Sequence, residues 1–357
     1  MSLSTQFYPL TVAAVDADTD DSVCVSFDVP PELDDTFHFT QGQHLTIRKE
    51  LDGEELRRNY SLCTPVGDRL TVAIRKVSDG RFSSWANESL QAGEVLDVMP
   101  PQGRFFTELD ETQEKHYLAL AAGSGITPIA SLIATTLAIE PASRFTLVYG
   151  NRRTSSIMLR QQLEHLKNRY PDRLQLLHVL SRESRDAELF NGRVDPDKLA
   201  LLSQHLIDLD RVDEVFLCGP ESMILSLKSW LETNSSIGSA HIHIELFGTE
   251  SGRAAAAGPV EAGPSRKVSI IADRRRMELD VPSAGSSILD AALEAGADLP
   301  FACKGGVCCT CRAKLVKGEV TMDVNYALEP AEVEAGFILT CQAHPVTDEV
   351  VVDFDQV

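Results

Sequence analysis

The chain has 357 residues, 43% of them hydrophobic and 24% charged. That length allows two or three domains, and the near-average composition excludes a disordered or fibrous chain and a bundle of membrane helices. With 33 basic against 53 acidic residues the net charge is −20, which argues against a protein that grips nucleic-acid phosphates.

The first stretch, Met1 to Asp18, has no basic start and no apolar run of secretory length. The longest weakly polar run, Ile126 to Ile139, falls short of the roughly 20 residues that cross a bilayer. A cytoplasmic protein with neither nucleic acid nor membrane as partner is expected.

From Tyr8 to about Phe106 apolar residues alternate, as at Val23, Val25, Phe27 and Val29 and again at Leu70, Val72 and Ile74. Turn signals stand between the runs at Asp52-Gly53 and Ser78-Asp79-Gly80. Period-two alternation cut by turns predicts a small antiparallel β-barrel, assigned to residues 1–108. Inside it Arg58, Tyr60 and Ser61 form an R-x-Y-S element, followed downstream by Gly80-Arg81-Phe82-Ser83. Such residues serve for stacking and phosphate binding, but more often as a surface charge beside a packed aromatic.

Residues 109–248 change rhythm. Short apolar strands (Tyr117–Ala121, Phe145–Tyr149, Leu174–Leu180, Val215–Cys218, Ile242–Phe247) alternate with helical stretches such as Ile157–Leu166 and Met223–Leu231, which predicts an α/β doubly wound parallel sheet. After the first strand, Gly123-Ser124-Gly125-Ile126-Thr127-Pro128 opens a helix, where glycines let the backbone approach a pyrophosphate at a helix N-terminus. Pro128 stands where the third glycine of G-x-G-x-x-G would be, so an ordinary glycine-rich turn stays open as a reading.

After the second strand come Asn151-Arg152-Arg153-Thr154-Ser155-Ser156, with no acidic residue placed for a ribose 2′-hydroxyl. Arg152, Arg153 and Ser155 suit a 2′-phosphate, hence NADP rather than NAD, the other reading being a solvated basic loop. Cys218-Gly219-Pro220 ends the fourth strand at the ligand-facing edge of a parallel sheet, although a buried cysteine there is also ordinary core.

Residues 249–266, with Ala254 to Ala257 among Gly, Pro, Ser and Glu, have no apolar face and read as a linker. The remaining segment, 267–357, orders two short strands, a helix near Ser286–Gly296, a Gly/Cys-rich loop and closing strands around Leu315 and Val350–Phe354, predicting an α+β module of the β-grasp type. Cys303, Cys308 and Cys311 are spaced C-x4-C-x2-C, with Cys341 after a further 29 residues, the plant-type [2Fe-2S] spacing. Soft thiolates hold iron, and Gly305 and Gly306 let the loop wrap a cluster closely. Structural zinc sites favour paired C-x2-C knuckles, a poorer match. Cys309 is one thiol more than the cluster needs.

These elements in this order resemble the ferredoxin–NADP reductase family fused to a C-terminal plant-type ferredoxin. Gly53 to Arg58, Val98-Met99 with Pro101-Gln102-Gly103, Ile133 to Leu137, Ala302 to Cys308 and the tail Val350 to Asp355 narrow the resemblance to the reductase subunits of phenylacetyl-CoA epoxidases. The resemblance implies that Arg58 contacts the FAD phosphates, Tyr60 stacks on the isoalloxazine, Ser61 approaches flavin N5, and Gly80, Arg81, Phe82 and Ser83 cradle the pyrophosphate. It implies Gly123, Gly125, Thr127 and Pro128 on the NADPH pyrophosphate, Arg152, Arg153 and Ser155 on the 2′-phosphate, and Cys218, Gly219 and Pro220 beside the nicotinamide. Glu245 and Phe247 align with a family Glu-x-Phe segment near the flavin. The implied activity is an NADPH-dependent flavin and iron-sulfur reductase feeding the di-iron oxygenase subunits of a multicomponent epoxidase. A Rieske-type or hybrid-cluster partner, or a redox-sensing protein without turnover, are the alternatives.

Overall fold

The structure, a computed structural model, describes residues 6–247 and 263–356. They fall into two compact units, Gln6–Phe247 and a carboxyl-terminal unit. Most of the expected linker, residues 249–262, lies outside the described residues, and its last two positions, Ser265 and Arg266, already belong to a strand.

The first unit begins with a six-stranded antiparallel sheet: β1 (Tyr8–Thr19), β2 (Ser22–Asp28), β3 (His44–Leu51), β4 (Glu54–Ser61), β5 (Thr71–Arg75) and β6 (Val95–Val98), in the order β4-β3-β6-β1-β2-β5. Its two edges meet: Leu62, just past β4, bridges Val72, and the Cys63 amide donates to the Thr71 carbonyl at 3.0 Å, so the sheet closes as a barrel. The alternation read in the sequence points Val25, Phe27, Leu45, Ile47 and Val72 into its core. Helix α1 (Arg81–Glu88) plugs one end with Phe82 and Ala86.

The second sheet is parallel throughout. It comprises β7 (His116–Ala122), β8 (Arg144–Asn151), β9 (Leu174–Leu180), β10 (Glu214–Cys218) and β11 (Ile242–Glu245), ordered β9-β8-β7-β10-β11. The order reverses between β7 and β10, the switch point at whose carboxyl edge ligands bind in such sheets. Four helices cover it: α2 (Ile126–Ile139) packed with α3 (Arg160–Arg169), and α4 (Pro196–His205) packed with α5 (Glu221–Asn234). Helix α2 is apolar nearly all round because it is buried from Ile126 to Leu137. The helix expected over Ile157–Leu166 starts three residues later. Ile157, Met158 and Leu159 instead enter the core as irregular chain, with Leu159 at φ 56° and its amide bonded to Asp18 Oδ1 at 2.9 Å. Apolar periodicity marked the burial correctly but not the conformation that achieves it.

The carboxyl-terminal unit is a mixed sheet gripping a short helix. Strands β12 (Ser265–Ala272) and β13 (Arg275–Pro282) form a hairpin, and β14 (Arg312–Lys317), β16 (Phe337–Leu339) and β18 (Glu349–Asp353) complete the order β13-β12-β18-β14-β16. A small β15–β17 pair (Val320–Met322, Ala343–Pro345) and helix α7 (Pro330–Glu334) lie outside it. Helix α6 (Ile288–Glu294) is capped by Ser287, whose hydroxyl accepts from the Asp290 amide at 3.1 Å, and it buries Ile288, Leu289 and Ala292 against the sheet. Among the described residues no helix is long and apolar enough to cross a membrane.

Candidate functional site

Barrel and parallel sheet share one core, in which Cys63, Ala73 and Phe105 pack with Ala121, Ile129 and Phe216. The chain leaving β4 is pinned to the helices of the sheet. Ser131 Oγ donates to the Thr64 carbonyl at 2.7 Å, the Val66 amide donates to Thr135 Oγ1 at 3.1 Å, and Gln162 Nε2 donates to the Cys63 carbonyl at 2.6 Å. Ser61, immediately before this strap, is therefore held against the carboxyl edge of the parallel sheet. There Ser61 Oγ hydrogen-bonds Glu245 Oε2 at 3.2 Å, across 184 residues of sequence. Glu245 ends β11 opposite Cys218 in the β10 ladder, so Ser61, Glu245 and Cys218 form one cluster.

The electrostatics of this cluster follow from burial. Loss of water lifts the Glu245 carboxyl to about 8, the Ser61 hydrogen bond opposing only in part, and lifts the Cys218 thiol as well, with Glu245 adding to the effect. His44, paired with Ser61 across β3 and β4, brings Nδ1 to 4.0 Å from Glu245 Oε1, and burial pushes its imidazole down to about 4. Both shifts oppose charge, so this contact joins two neutral groups rather than an ion pair. The sequence reading missed His44. Its only local signal was a polar residue on the strand face opposite Leu45 and Ile47, its partner lying two hundred residues away.

Tyr60 and Arg58 precede Ser61 on β4. The Tyr60 ring lies 5.6 Å from Phe82 at 35°, and burial raises its hydroxyl far above the ordinary value. Arg58 is exposed and donates to the Arg57 carbonyl at 2.7 Å, leaving its guanidinium turned outward. Gly80 caps α1, and a Cβ there would come within 2.4 Å of Val77 Cγ2 and 2.5 Å of Ser83 Oγ. The first intrahelical bond runs from Ser84 to Gly80, so the amides of residues 81–83 have no partner within the helix, a fitting cradle for an anion. The side chains of this segment are otherwise engaged. Arg81 pairs with Glu54 and Asp52 and donates to the Leu51 carbonyl, Phe82 is core, and Ser83 Oγ bonds Val77 N and Gly80 O. Any phosphate contact from Arg81, Phe82 and Ser83 thus falls to the backbone.

At the switch point two glycine-bearing turns press together. A Cβ on Gly125 would lie 2.2 Å from the Cys218 carbonyl oxygen, and one on Gly219 would lie 2.7 Å from Met223 Cε. Gly123 sits at φ 55°, its carbonyl accepting from the Tyr149 hydroxyl at 2.9 Å. Thr127 is buried and donates to the Ser124 carbonyl, and Pro128 is buried without an N–H, so both shape the turn rather than offer donors. Pro220 caps α5 at the same edge, while Phe247 is exposed two residues beyond β11.

At the end of β8, Arg152, Arg153 and Ser155 are exposed. The fold adds two residues from the turn after β9. The Arg182 amide donates to the Arg152 carbonyl at 2.9 Å, and Glu183 accepts from the Thr154 amide and hydroxyl at 2.8 and 2.5 Å, which holds its carboxyl below the usual range. Beside them the Asn151 side chain is buried next to the Tyr149 hydroxyl, with no other protein partner for its amide. A polar group so sparsely partnered at this edge fits a bound nucleotide.

In the carboxyl-terminal unit the loop before β14 and the turn after β16 bring four thiols together. Cys303 hydrogen-bonds with Cys308, and Cys311 with Cys341, the two pairs lying within electrostatic reach of each other. The Cys303 bond draws the Cys308 thiol down to about 6, whereas Cys303 and Cys311 are pushed up as partners on the other side of these bonds. Gly305 N donates to Cys303 Sγ at 3.3 Å, and the Gly306 backbone stabilises Cys341. Thr310, 6% exposed, lies against Cys308 with its hydroxyl otherwise unpartnered. Two thiol pairs ringed by donors fit a dinuclear cluster. Cys309 turns away at φ 55°, donating to the Ala327 carbonyl at 3.2 Å.

Known proteins agree with this layout. Oxidoreductase FAD-binding, oxidoreductase NAD-binding and 2Fe-2S iron-sulfur cluster binding domains match residues 10–107, 119–228 and 270–346. The chain is 46% identical over 352 residues, 98% of each chain, to one of the subunits of the 1,2-phenylacetyl-CoA epoxidase of Escherichia coli. It is 33% identical over 354 residues, 97% of this chain and 96% of the other, to the ferredoxin reductase component of the 3-ketosteroid-9-alpha-monooxygenase of Rhodococcus rhodochrous. A solved phthalate dioxygenase reductase shares the fold, with a TM-score of 0.59 at 21% identity, over 97% of this chain and 98% of that one.

Proposed function

The chain belongs to the family of oxygenase reductases that join an FAD-binding, an NAD-binding and a 2Fe-2S domain in one polypeptide, and from that membership we propose that it is the reductase component of a phenylacetyl-CoA epoxidase, drawing on NADPH and serving di-iron oxygenase subunits. The observation that carries the reading is the meeting of Ser61, Glu245 and Cys218 where the barrel joins the switch point of the parallel sheet. Full-length identity of 46% to an epoxidase component, against 33% to a steroid monooxygenase component, supports the epoxidase over other oxygenases. FAD supplies a carrier that accepts a two-electron hydride and gives up electrons one at a time, and a [2Fe-2S] cluster supplies the one-electron store.

The chain's residues have separate tasks around those groups. Arg58 and the amides of residues 81–83 would hold the FAD phosphates, and the Tyr60 ring would offer a stacking face. Glu245, neutral near pH 7, can hold a proton and share it with Ser61 Oγ, the hydroxyl that would lie nearest a bound flavin. Cys218, a neutral thiol sealed in the edge of the sheet, would exclude water beside a bound nicotinamide. Arg152, Arg153, Ser155 and Arg182 would hold a 2′-phosphate, a contact that would favour NADPH over NADH. The four cysteines Cys303, Cys308, Cys311 and Cys341 would ligate the cluster.

The test is to mix the cluster-loaded protein with NADPH, the di-iron oxygenase, phenylacetyl-CoA and oxygen, and to compare NADPH consumed with epoxide formed. Near-equal amounts are expected. Rapid reduction of flavin and cluster without epoxide would assign the reductase to another oxygenase, and absence of flavin reduction would overturn the reading altogether.

A further inference from the structure

Gln342 follows the last cluster cysteine and is 7% exposed, too buried for a solvated amide. Its Nε2 lies 2.9 Å from the Lys304 carbonyl, 3.0 Å from the Cys341 carbonyl and 3.5 Å from Cys341 Sγ. All three neighbours are acceptors, so the nitrogen and not the oxygen of the amide must face them. Its two hydrogens are placed to serve the carbonyl on the cluster loop and the Cys341 side. The Gln342 stem also packs on Gly306, where a Cβ would come within 3.2 Å of Gln342 Cγ. The side chain thus reaches both ends of the cysteine set, from the loop that carries Cys303 to the strand end that carries Cys341.

We propose that Gln342 is a positioning residue that raises the reduction potential of the cluster by donating an N–H to the sulfur of Cys341. The inference rests on the reading that the four thiols hold a [2Fe-2S] cluster. Adding one electron increases the negative charge shared onto the ligand sulfurs, and a donor aimed at one of them stabilises the reduced state more than the oxidised one. The backbone amides around Cys303 and Cys341 act in the same sense, but Gln342 is a side-chain donor that can be removed without touching the ligands.

The experiment replaces Gln342 by Leu and, separately, by Met, in the full-length protein with flavin and cluster loaded. Midpoint potential is measured by spectroelectrochemical titration, and the Fe–S stretching bands are compared by resonance Raman in H2O and D2O. In a variant that keeps the wild-type visible spectrum, the potential should become more negative by up to about a tenfold change in the one-electron equilibrium, about 59 mV. The deuterium shift of the Fe–S bands should shrink, while NADPH still bleaches the flavin at the wild-type rate. An unchanged potential and isotope shift would overturn the proposal. Loss of the cluster from both variants would also overturn it, assigning Gln342 to loop assembly through Lys304 instead. Wild-type protein without cluster absorption after reconstitution would refute the cluster reading itself, an outcome visible before any variant is made.

Discussion

Replacing Gly125 by alanine isolates the packing of the two turns at the switch point. Gly125 has φ −61° and ψ −6°, values open to any residue, so the substitution brings no backbone strain and its whole effect is steric. The added methyl carbon would stand 2.2 Å from the Cys218 carbonyl oxygen and 2.9 Å from the Gly219 amide nitrogen, both backbone atoms that cannot rotate aside. A carbon needs about 3.3 Å from a carbonyl oxygen, so the turns must part by roughly 1 Å. Overpacking of this kind costs about 1–3 kcal/mol, which in a unit of this size lowers Tm by about 2–12 °C. The functional loss should be larger. A displacement of about 1 Å in the turns that flank Cys218 can slow hydride transfer about 100-fold. Stopped-flow bleaching of the flavin by NADPH reads that rate, and calorimetry reads Tm. Gly238→Ala is the control, because its Cβ would meet only His241 Cδ2 at an ordinary 3.6 Å, and its stability should stay within about 1 kcal/mol of wild type. Flavin reduction at the wild-type rate in Gly125→Ala would refute the claim that these turns form the nicotinamide edge.

Cys308→Ser should remove cluster absorbance and one-electron delivery to acceptors while NADPH still bleaches the flavin, since the thiols and the hydride site belong to different units; loss of both activities would contradict that separation. Arg152→Ala and Arg182→Ala should each weaken NADPH by about tenfold to a hundredfold and leave NADH nearly unchanged, as read from the ratio of kcat/KM values. Equal weakening of the two cofactors would move the 2′-phosphate elsewhere. Glu245 supplies a pH test. Its carboxyl stands at about 8 when folded against an ordinary 4.5, so between those values the folded protein holds a proton the unfolded chain has released, and stability must fall as pH rises. Glu245→Gln should lack that fall in denaturant titrations from pH 5 to 8, and parallel profiles for the two proteins would show that the carboxyl is not held neutral.

Much of the architecture was written locally. Alternation at Val23, Val25 and Phe27 announces a barrel strand because successive side chains must choose opposite faces. The C-x4-C-x2-C spacing announces the cluster loop because its ligands lie within nine residues of one another. What stayed hidden depends on distant partners. No local pattern reveals that Arg81 spends its guanidinium on Glu54 and the Leu51 carbonyl, since that depends on where the β3–β4 turn lands. Arg182 joins the Arg152 loop only because β8 and β9 are neighbours in the sheet. The late start of α3 also involves a distant partner: Leu159 stands at φ 56°, outside the helical region, with its amide bonded to Asp18 on β1 of the barrel.

The same dependence explains why the proposed hydride site can be rigid although its residues come from three remote segments. Two of its three joints are sheet ladders, which fix His44 beside Ser61 and Cys218 beside Glu245 to the accuracy of strand register. The third joint, between barrel and parallel sheet, has no ladder. It is closed instead by the strap from Cys63 to Val66, whose backbone makes three hydrogen bonds with Ser131, Thr135 and Gln162. Each is worth about 1 kcal/mol, modest beside the apolar core under the strap, but each is directional where apolar burial is not. Burial therefore holds the two sheets together, and the polar strap sets the angle at which they meet. Ser61 and Glu245 come within hydrogen-bonding distance at that angle, so the geometry of the proton-holding pair rests on residues of α2 and α3 that touch neither of them.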